Sequence, residues 1–271
     1  MLSLPSDTHG KTQTDTHGKT QIVGHYGGYR KTLSFGLVCL VYHATTLFCK
    51  RNYSYKNDAL GKTVGQMVGA ARSARQNIVE GSTRAGTSKE TEFRLLDVAK
   101  GSLEELAGDY EAFIAESGEA PWSEHDPRAR RVRELEFDRF SGTDDMRHEF
   151  GKHLLAMKVR FAPELEKDEP VHAANAILVT IDRAKALLHR QIEKVGEEFR
   201  ANGGFTERLS KARLEERDRQ AVNVDAPKCP TCGGPMRKVI ARKGANAGNP
   251  FWSCCAYPNC SGTRKWDYAS A

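Results

Sequence analysis

The chain has 271 residues, with 41 basic against 35 acidic side chains and a formal charge of +6. That length is ample for a real core in one or two domains. The absence of an export signal or a disulfide pattern speaks against a stapled secreted scaffold, so a reducing cytoplasm is the expected compartment. No run reads as membrane-spanning, since the most apolar one, Leu33 to Phe48, is too short and carries His43, Thr45 and Thr46.

Residues 7–21 are an imperfect tandem repeat in which Asp-Thr-His-Gly-Lys-Thr-Gln occurs twice. With no apolar face to bury, this tail over 1–28 is expected to be disordered, and its His9 and His17 to be solvated. Gly-Lys-Thr recurs at Gly61, Lys62 and Thr63, but no copy has the upstream glycine that a phosphate-binding loop needs.

Helical periodicity begins near Tyr29. Leu33, Leu37, Leu40, Ala44 and Leu47 form one stripe, and Val38, Val41, Thr45 and Phe48 form a second beside it. A second helix is expected from Lys62 to Glu80, ending at Gly81 in a left-handed turn. Val64, Met67, Val68, Ala71, Ala74 and Ile78 share its apolar face, and Arg75 projects onto the same face, at the helix edge or against a carboxylate. Gly65, Gly69 and Ser73 make a column of small residues suited to close helix approach. Arg72 lies four residues before Gln76 on another flank, and Arg72 with Arg75 is a candidate second basic contact.

Thr87 with Glu90 suggests a capping box for a third helix. Phe93, Leu96, Leu103, Leu106, Tyr110 and Phe113 are its expected seam, and Glu92, Glu104, Glu105 and Glu111 its solvated face. Neighbouring carboxylates at Glu104 and Glu105 diverge by about 100° on a helix and cannot share a substrate. Residues 121–170 read as a polar crossover with short surface helices at Pro127–Phe140 and Asp144–Lys158. A fourth helix follows from His172 to Arg200, with Ile177, Leu178, Ile181, Leu188, Ile192, Val195 and Phe199 facing the core. A charged helix from Thr206 to Gln220 then leads toward the C-terminus.

Five of the seven cysteines fall between Cys229 and Cys260. Cys229 and Cys232 form a C-x2-C turn followed by Gly233 and Gly234, the arrangement that points two sulfurs at one ion. Cys254, Cys255 and Cys260 offer two spacings for a second pair. The segment is too poor in aliphatic residues to hold a core unaided, so a metal is expected to organise it. Cys39 and Cys49 are expected to be inert helix residues. Between Pro227 and Asp267, seven cations (Lys228, Arg237, Lys238, Arg242, Lys243, Arg264 and Lys265) stand against Asp267 alone, so this segment accounts for the whole charge excess. A basic module on a neutral body points to a polyanionic partner.

Two resemblances sharpen these expectations. The run from Cys229 through Gly233, Gly234, Pro235 and Met236, then Asn249 to Cys254 and Tyr257 to Thr263, resembles the C-terminal four-cysteine zinc ribbon of bacterial type IA topoisomerases. That family spaces its second pair C-x5-C, which implies one Zn²⁺ per chain on Cys229, Cys232, Cys254 and Cys260. It implies a single-strand nucleic-acid-binding module and no nicking chemistry. Gln66, Met67, Ala70 and Ala71, then Ser73, Asn77, Ile78, Glu80, Gly81 and Ser82, with Ala99, Ser102, Leu103, Glu105 and Leu106, resemble the four-helix-bundle proteins of ribosomal-RNA intervening sequences. These are related to the accessory variability determinant of diversity-generating retroelements. Ala174 to Leu178 and the exit from Gly203 to Arg208 are similar to the branch whose C-terminal suffix ends in a zinc ribbon. This resemblance implies a homopentamer and an association with a reverse transcriptase and its RNA.

The expected fold is therefore mainly α. It comprises an antiparallel four-helix bundle over 29–205 with a long crossover before the last helix, a charged helical linker over 206–226 and a zinc ribbon over 227–271. The expected function is a non-enzymatic, nucleic-acid-binding accessory protein that acts as an oligomer on DNA or RNA, with no membrane partner. Its candidate contacts are Arg237, Lys238, Arg242, Lys243, Trp252, Tyr257, Arg264, Lys265 and Trp266, which combine cations with stacking rings. Ser73, Asn77, Glu80 and Gly81 form the bundle motif, whose polar members suit register-fixing hydrogen bonds. The alternative is a protein–protein adaptor whose bundle and ribbon bind a polymerase or another protein. No catalytic constellation is visible: His148, His153, His172 and His189 are scattered.

Overall fold

The structure, a computed structural model, describes residues 28–220 and 226–266. The N-terminal repeat with His9 and His17, the segment 221–225 and the last five residues lie outside the described residues. The chain is mainly helical, with a small three-stranded sheet and a cluster of four cysteines near its C-terminus. It divides into two compact units between Phe205 and Thr206.

The first unit opens with a 3-10 turn at Gly28–Lys31, followed by α1 (Leu33–Asn52), α2 (Lys62–Arg84), α3 (Lys89–Glu116), α4 (Pro127–Glu134), α5 (Met146–Leu165) and α6 (Pro170–Asn202). Thr32 caps α1, its hydroxyl accepting from the Phe35 N–H. The two apolar stripes of α1 serve two neighbours, because α2 and α6 both pack on it, while α3 packs on α2 and α6. By length and composition α1 would also pass as a membrane-crossing helix, contrary to the expectation that the run is too short. However, 67% of its most apolar window is buried inside the protein, as for a core helix. Cys39 and Cys49 lie on it as expected, buried, and burial pushes each thiol up to about 12.

Several side chains depart from the expected pattern. Gly81 does not end α2, which continues to Arg84. A Cβ at Gly81 would sit 3.3 Å from the Glu92 carbonyl oxygen and from Leu95 Cβ, so the glycine permits close approach of α2 to α3. Conversely, Gly65 and Gly69 face open space, with nothing within 4 Å of a Cβ at either. Ser88, and not Thr87, caps α3 by accepting from the Thr91 N–H at 3.1 Å. Glu92, expected on the solvated face, is buried and bonded to Lys89 at 2.9 Å, and Lys89 also reaches Glu198 of α6 at 3.0 Å. Phe93 and Phe199, expected in the core, are about 40% exposed.

The largest correction concerns residues 121–170. α5 runs for 20 residues and packs on α1 and α6, burying Phe150, Met157, Phe161 and Leu165. Val132 and Phe140, upstream of it, are buried too. The loop after α4 is held by Arg183 of α6, which donates to the carbonyls of Val132 and Leu135 at 2.8 Å each. The same guanidinium lies over the rings of Phe137 and Phe161. This stretch is part of the core and not a surface insert.

The second unit holds α7 (Phe205–Gln220, its residues from Thr206 onward) and an antiparallel sheet of β1 (Met236–Ile240), β2 (Pro250–Cys254) and β3 (Thr263–Lys265), in that order. Met236 opposes Cys254, Lys238 opposes Trp252, and Trp252 opposes Arg264. The loop between β1 and β2 is closed by Ala241 donating to Asn249 and Gly248 donating to Ala241. Gly244 and Gly248 take positive φ there, which suits them to the turn.

Candidate metal centre

Two turns of matched construction bring the cysteines together. In the first, the Cys229 N–H donates to the Gly234 carbonyl at 2.8 Å, two residues past Cys232. In the second, the Cys254 N–H donates to the Gly262 carbonyl at 2.9 Å, two residues past Cys260. Within each turn the amide two residues after the first cysteine points at its sulfur, Thr231 at Cys229 and Ala256 at Cys254, both at 3.4 Å. Gly233, at φ 69°, allows the first turn to close. The repeated pattern selects Cys254, and Cys255 lies outside the cluster.

The sulfurs of Cys229, Cys232, Cys254 and Cys260 all lie within 4.8 Å of one another. Cys229 and Cys260 are 3.8 Å apart, and Cys232 and Cys254 are 3.5 Å apart. Four thiolates at about 2.3 Å from a tetrahedral ion would have S···S edges of about 3.8 Å. The set therefore could hold one metal ion with little adjustment. Its electrostatics agree. The amides of Cys232 and Thr231 draw the Cys229 thiol down to about 6. Although the Ala256 amide favours the thiolate of Cys254, burial and the neighbouring thiols push that group up to about 12. Like charges this close cannot all form unless a cation neutralises them.

Two residues of this centre carried no assigned role in the sequence. Gly262 is buried against the first turn, and a Cβ on it would collide with Cys229 Sγ and lie 3.0 Å from Thr231 Oγ1. The Pro235 carbonyl accepts from the Cys255 N–H at 3.0 Å, tying one turn to the other. The signal for Gly262 was its place two residues after a cysteine, as for Gly234 after Cys232.

The candidate nucleic-acid contacts are distributed by the pleat. Lys238, Trp252, Arg264 and Trp266 share one face, and Arg237 and Lys265 lie on the other with Phe251. Arg242 and Lys243 are exposed on the β1–β2 loop, and Tyr257 is exposed in the second cysteine turn. Trp252 is not a surface ring: it is buried with Cys229, Met236 and Cys254 in the small core, with Trp266 against it at 4.5 Å between centroids. Lys238 Nζ lies 4.2 Å from the Trp266 centroid.

In the first unit, Ser73 Oγ and Ser102 Oγ are 3.0 Å apart, linking α2 to α3, and Asn77 donates back to the Ser73 carbonyl. Glu80 is exposed and paired with Arg84 at 3.1 Å. The Ser73–Ser102 contact joins two helices, while those of Asn77 and Glu80 stay within α2. Arg72 is exposed, whereas Arg75 is half-buried with its guanidinium 4.4 Å over the Tyr42 ring, so of the two expected placements the carboxylate partner gives way to a π-face.

No protein-family model, no curated protein and no solved structure matches the chain.

Proposed function

We propose that this chain is a non-enzymatic nucleic-acid-binding protein in which α1, α2, α3 and α6 form a four-helix bundle and the cysteine centre is a zinc ribbon. Four thiolates at tetrahedral spacing favour Zn²⁺ among common ions, because it prefers this geometry and carries no redox liability. The observation that carries the binding reading is the face shared by Lys238, Arg264 and Trp266, where the Lys238 ammonium sits over a half-exposed indole. Such a face suits one base beside neutralised phosphates, and Arg242, Lys243 and Tyr257 extend it along the loops.

Salt-dependent titration of the full chain against a labelled single strand tests this. Each phosphate contact contributes about −0.7 to the log–log salt slope, so replacing Arg242 and Lys243 with Ala flattens it by up to about 1.4. Trp266→Ala lowers affinity with little change in slope. Binding that survives removal of residues 227–271 refutes the reading.

The resemblance to the intervening-sequence and retroelement accessory proteins would make the assembly a homopentamer working with a reverse transcriptase and its RNA. Support for self-association comes from the open groove of about 630 Å³ lined by Gly65, Gly69, Ser73 and Gly108, with Gln66, Glu105 and Asp109 also on its wall. Light scattering coupled to size exclusion tests it, and a monomer excludes it. The adaptor reading is favoured by Leu155 and Val159, one turn apart on α5 and 63% and 75% exposed. It gains if Leu155→Asp abolishes a protein partner while nucleic-acid binding persists.

A further inference from the structure

A cavity of about 550 Å³ opens among the 3-10 turn, α1, α2 and α5, within the first unit. Its floor is apolar, with Phe35, Val79 and Phe150, the two phenyl rings stacked at 5.5 Å. Its polar wall carries Arg30, Arg75 and Gln76. Arg75 is held by its contact with Tyr42, and the Arg30 guanidinium lies 4.7 Å from the Tyr29 centroid and 6.0 Å from that of Phe150. A cation–π contact engages the face of a guanidinium and leaves its edge N–H donors available to an anion. Among the described residues, neither arginine has a carboxylate within ion-pairing distance. Glu80, the one acid among the described lining residues, pairs with Arg84 at 3.1 Å.

Two uncompensated guanidiniums beside an apolar floor define a ligand with a matching charge and body. A carboxylate would balance only one of them, whereas a phosphomonoester, close to a dianion at neutral pH, balances both and accepts forked hydrogen bonds from each. The phenyl floor suits a planar ring, and the volume lies within the roughly 300–1,000 Å³ usual for small-ligand sites. We propose that this cavity binds the phosphomonoester of a nucleoside, its base against the phenyl floor. The source is a free nucleoside monophosphate or the 5′-phosphorylated terminal nucleotide of a strand. No ribbon residue takes part, so this site and the ribbon face stand or fall separately.

Calorimetric titration of the zinc-loaded full chain tests it, with AMP, inorganic phosphate and adenosine as separate ligands. AMP is expected to bind at least about tenfold more tightly than either fragment, because each fragment forfeits the charge match or the ring contact. Arg30→Gln and Arg75→Ala should each weaken AMP by about tenfold or more. Arg94→Ala, exposed on α3, should leave it unchanged, and thermal melts confirm that each variant folds. Arg30 lies on the 3-10 turn and not on α2, so Arg30→Gln decides the matter if Arg75→Ala destabilises the chain. A 5′-phosphorylated oligonucleotide that displaces AMP while its 5′-hydroxyl form does not assigns the terminal nucleotide as ligand. Failure of both to displace it assigns the free nucleotide. Absent AMP binding, AMP no tighter than phosphate, or full AMP affinity in both arginine variants overturns the proposal.

Discussion

Gly262→Ala is the most direct probe of how the cysteine centre is built. The added methyl would collide with Cys229 Sγ and crowd Thr231, whose hydroxyl oxygen and Cβ lie 3.0 and 3.3 Å from its position. Neither can retreat freely, because the Thr231 amide points at that same sulfur and the Cys229 amide is bonded to Gly234. Gly262 lies outside the positive-φ region, so the effect is steric and carries no backbone strain. Overpacking of a fitted site costs about 1–3 kcal/mol, and the cost falls on the closed, metal-bound arrangement in which Cys229 is fixed. Metal affinity should therefore drop by about tenfold to a hundredfold. Competition with a chromophoric zinc chelator reads this directly, and cobalt substitution reports whether the remaining site stays tetrahedral. Ser261→Ala, at an exposed neighbour, is the control. Parental affinity in Gly262→Ala would show that the two cysteine turns do not close as described.

Metal analysis of single Cys→Ser variants should give near-complete loss for Cys229, Cys232, Cys254 and Cys260 and retention for Cys255, and the reverse at 254 and 255 would refute the paired-turn register. Phe161→Ala should cost about 3–5 kcal/mol in chemical denaturation, against about 0.5 or less for the exposed Leu155→Ala; equal values would return α5 to the surface. Burial works against the charge of Lys89, but its hydrogen bonds to Glu92 and Glu198 prevail and hold its pKa above the ordinary 10.5. A raised pKa makes the contribution full below 10.5 and lost as pH rises through the folded value. Lys89→Met should accordingly be destabilising at neutral pH, with the gap to the parent narrowing above 10.5. A gap independent of pH would mean that the ammonium contributes packing alone. Lys238→Ala with Arg264→Ala should reduce single-strand affinity more than Arg237→Ala with Lys265→Ala, and equal losses would mean that both sheet faces bind.

What could be read from the sequence followed from strong periodicity and tight spacing. α1 was legible because two apolar stripes at three and four residues survive any single polar interruption. The first cysteine turn was legible because C-x2-C followed by two glycines has one common geometry. A helix over Asp144–Lys158 was legible too, but its reach to Leu165 and its core face were not, because its buried stripe of Phe150, Met157, Phe161 and Leu165 alternates with a second apolar pair, Leu155 and Val159, that faces outward. With apolar residues on both sides of the helix, periodicity did not mark which side faces the core. Glu92 was misplaced for a related reason: a carboxylate on a polar stripe reads as solvated unless its partner is known. Its partner Lys89 is only three residues away, but Glu198, which holds Lys89 from the other side, is about a hundred residues away in sequence. Gly81 was read in the wrong sense because a glycine signals permission and not its use. At Gly81 the permission is used for close approach to α3, while at Gly65 it is left open.

The same distinction governs the basic C-terminal segment. Charge and aromatic content, summed along the sequence, treat Arg237, Lys238, Trp252, Arg264, Lys265 and Trp266 as one patch. A strand sorts side chains by parity, so the sheet divides them, and the cysteine core claims Trp252 outright. Trp252→Ala should then act through ribbon folding and metal retention, whereas Trp266→Ala should act chiefly on binding. Measuring zinc content and strand affinity in both variants separates the two roles. Loss of affinity in Trp252→Ala with metal fully retained would return that ring to the binding face and overturn the division.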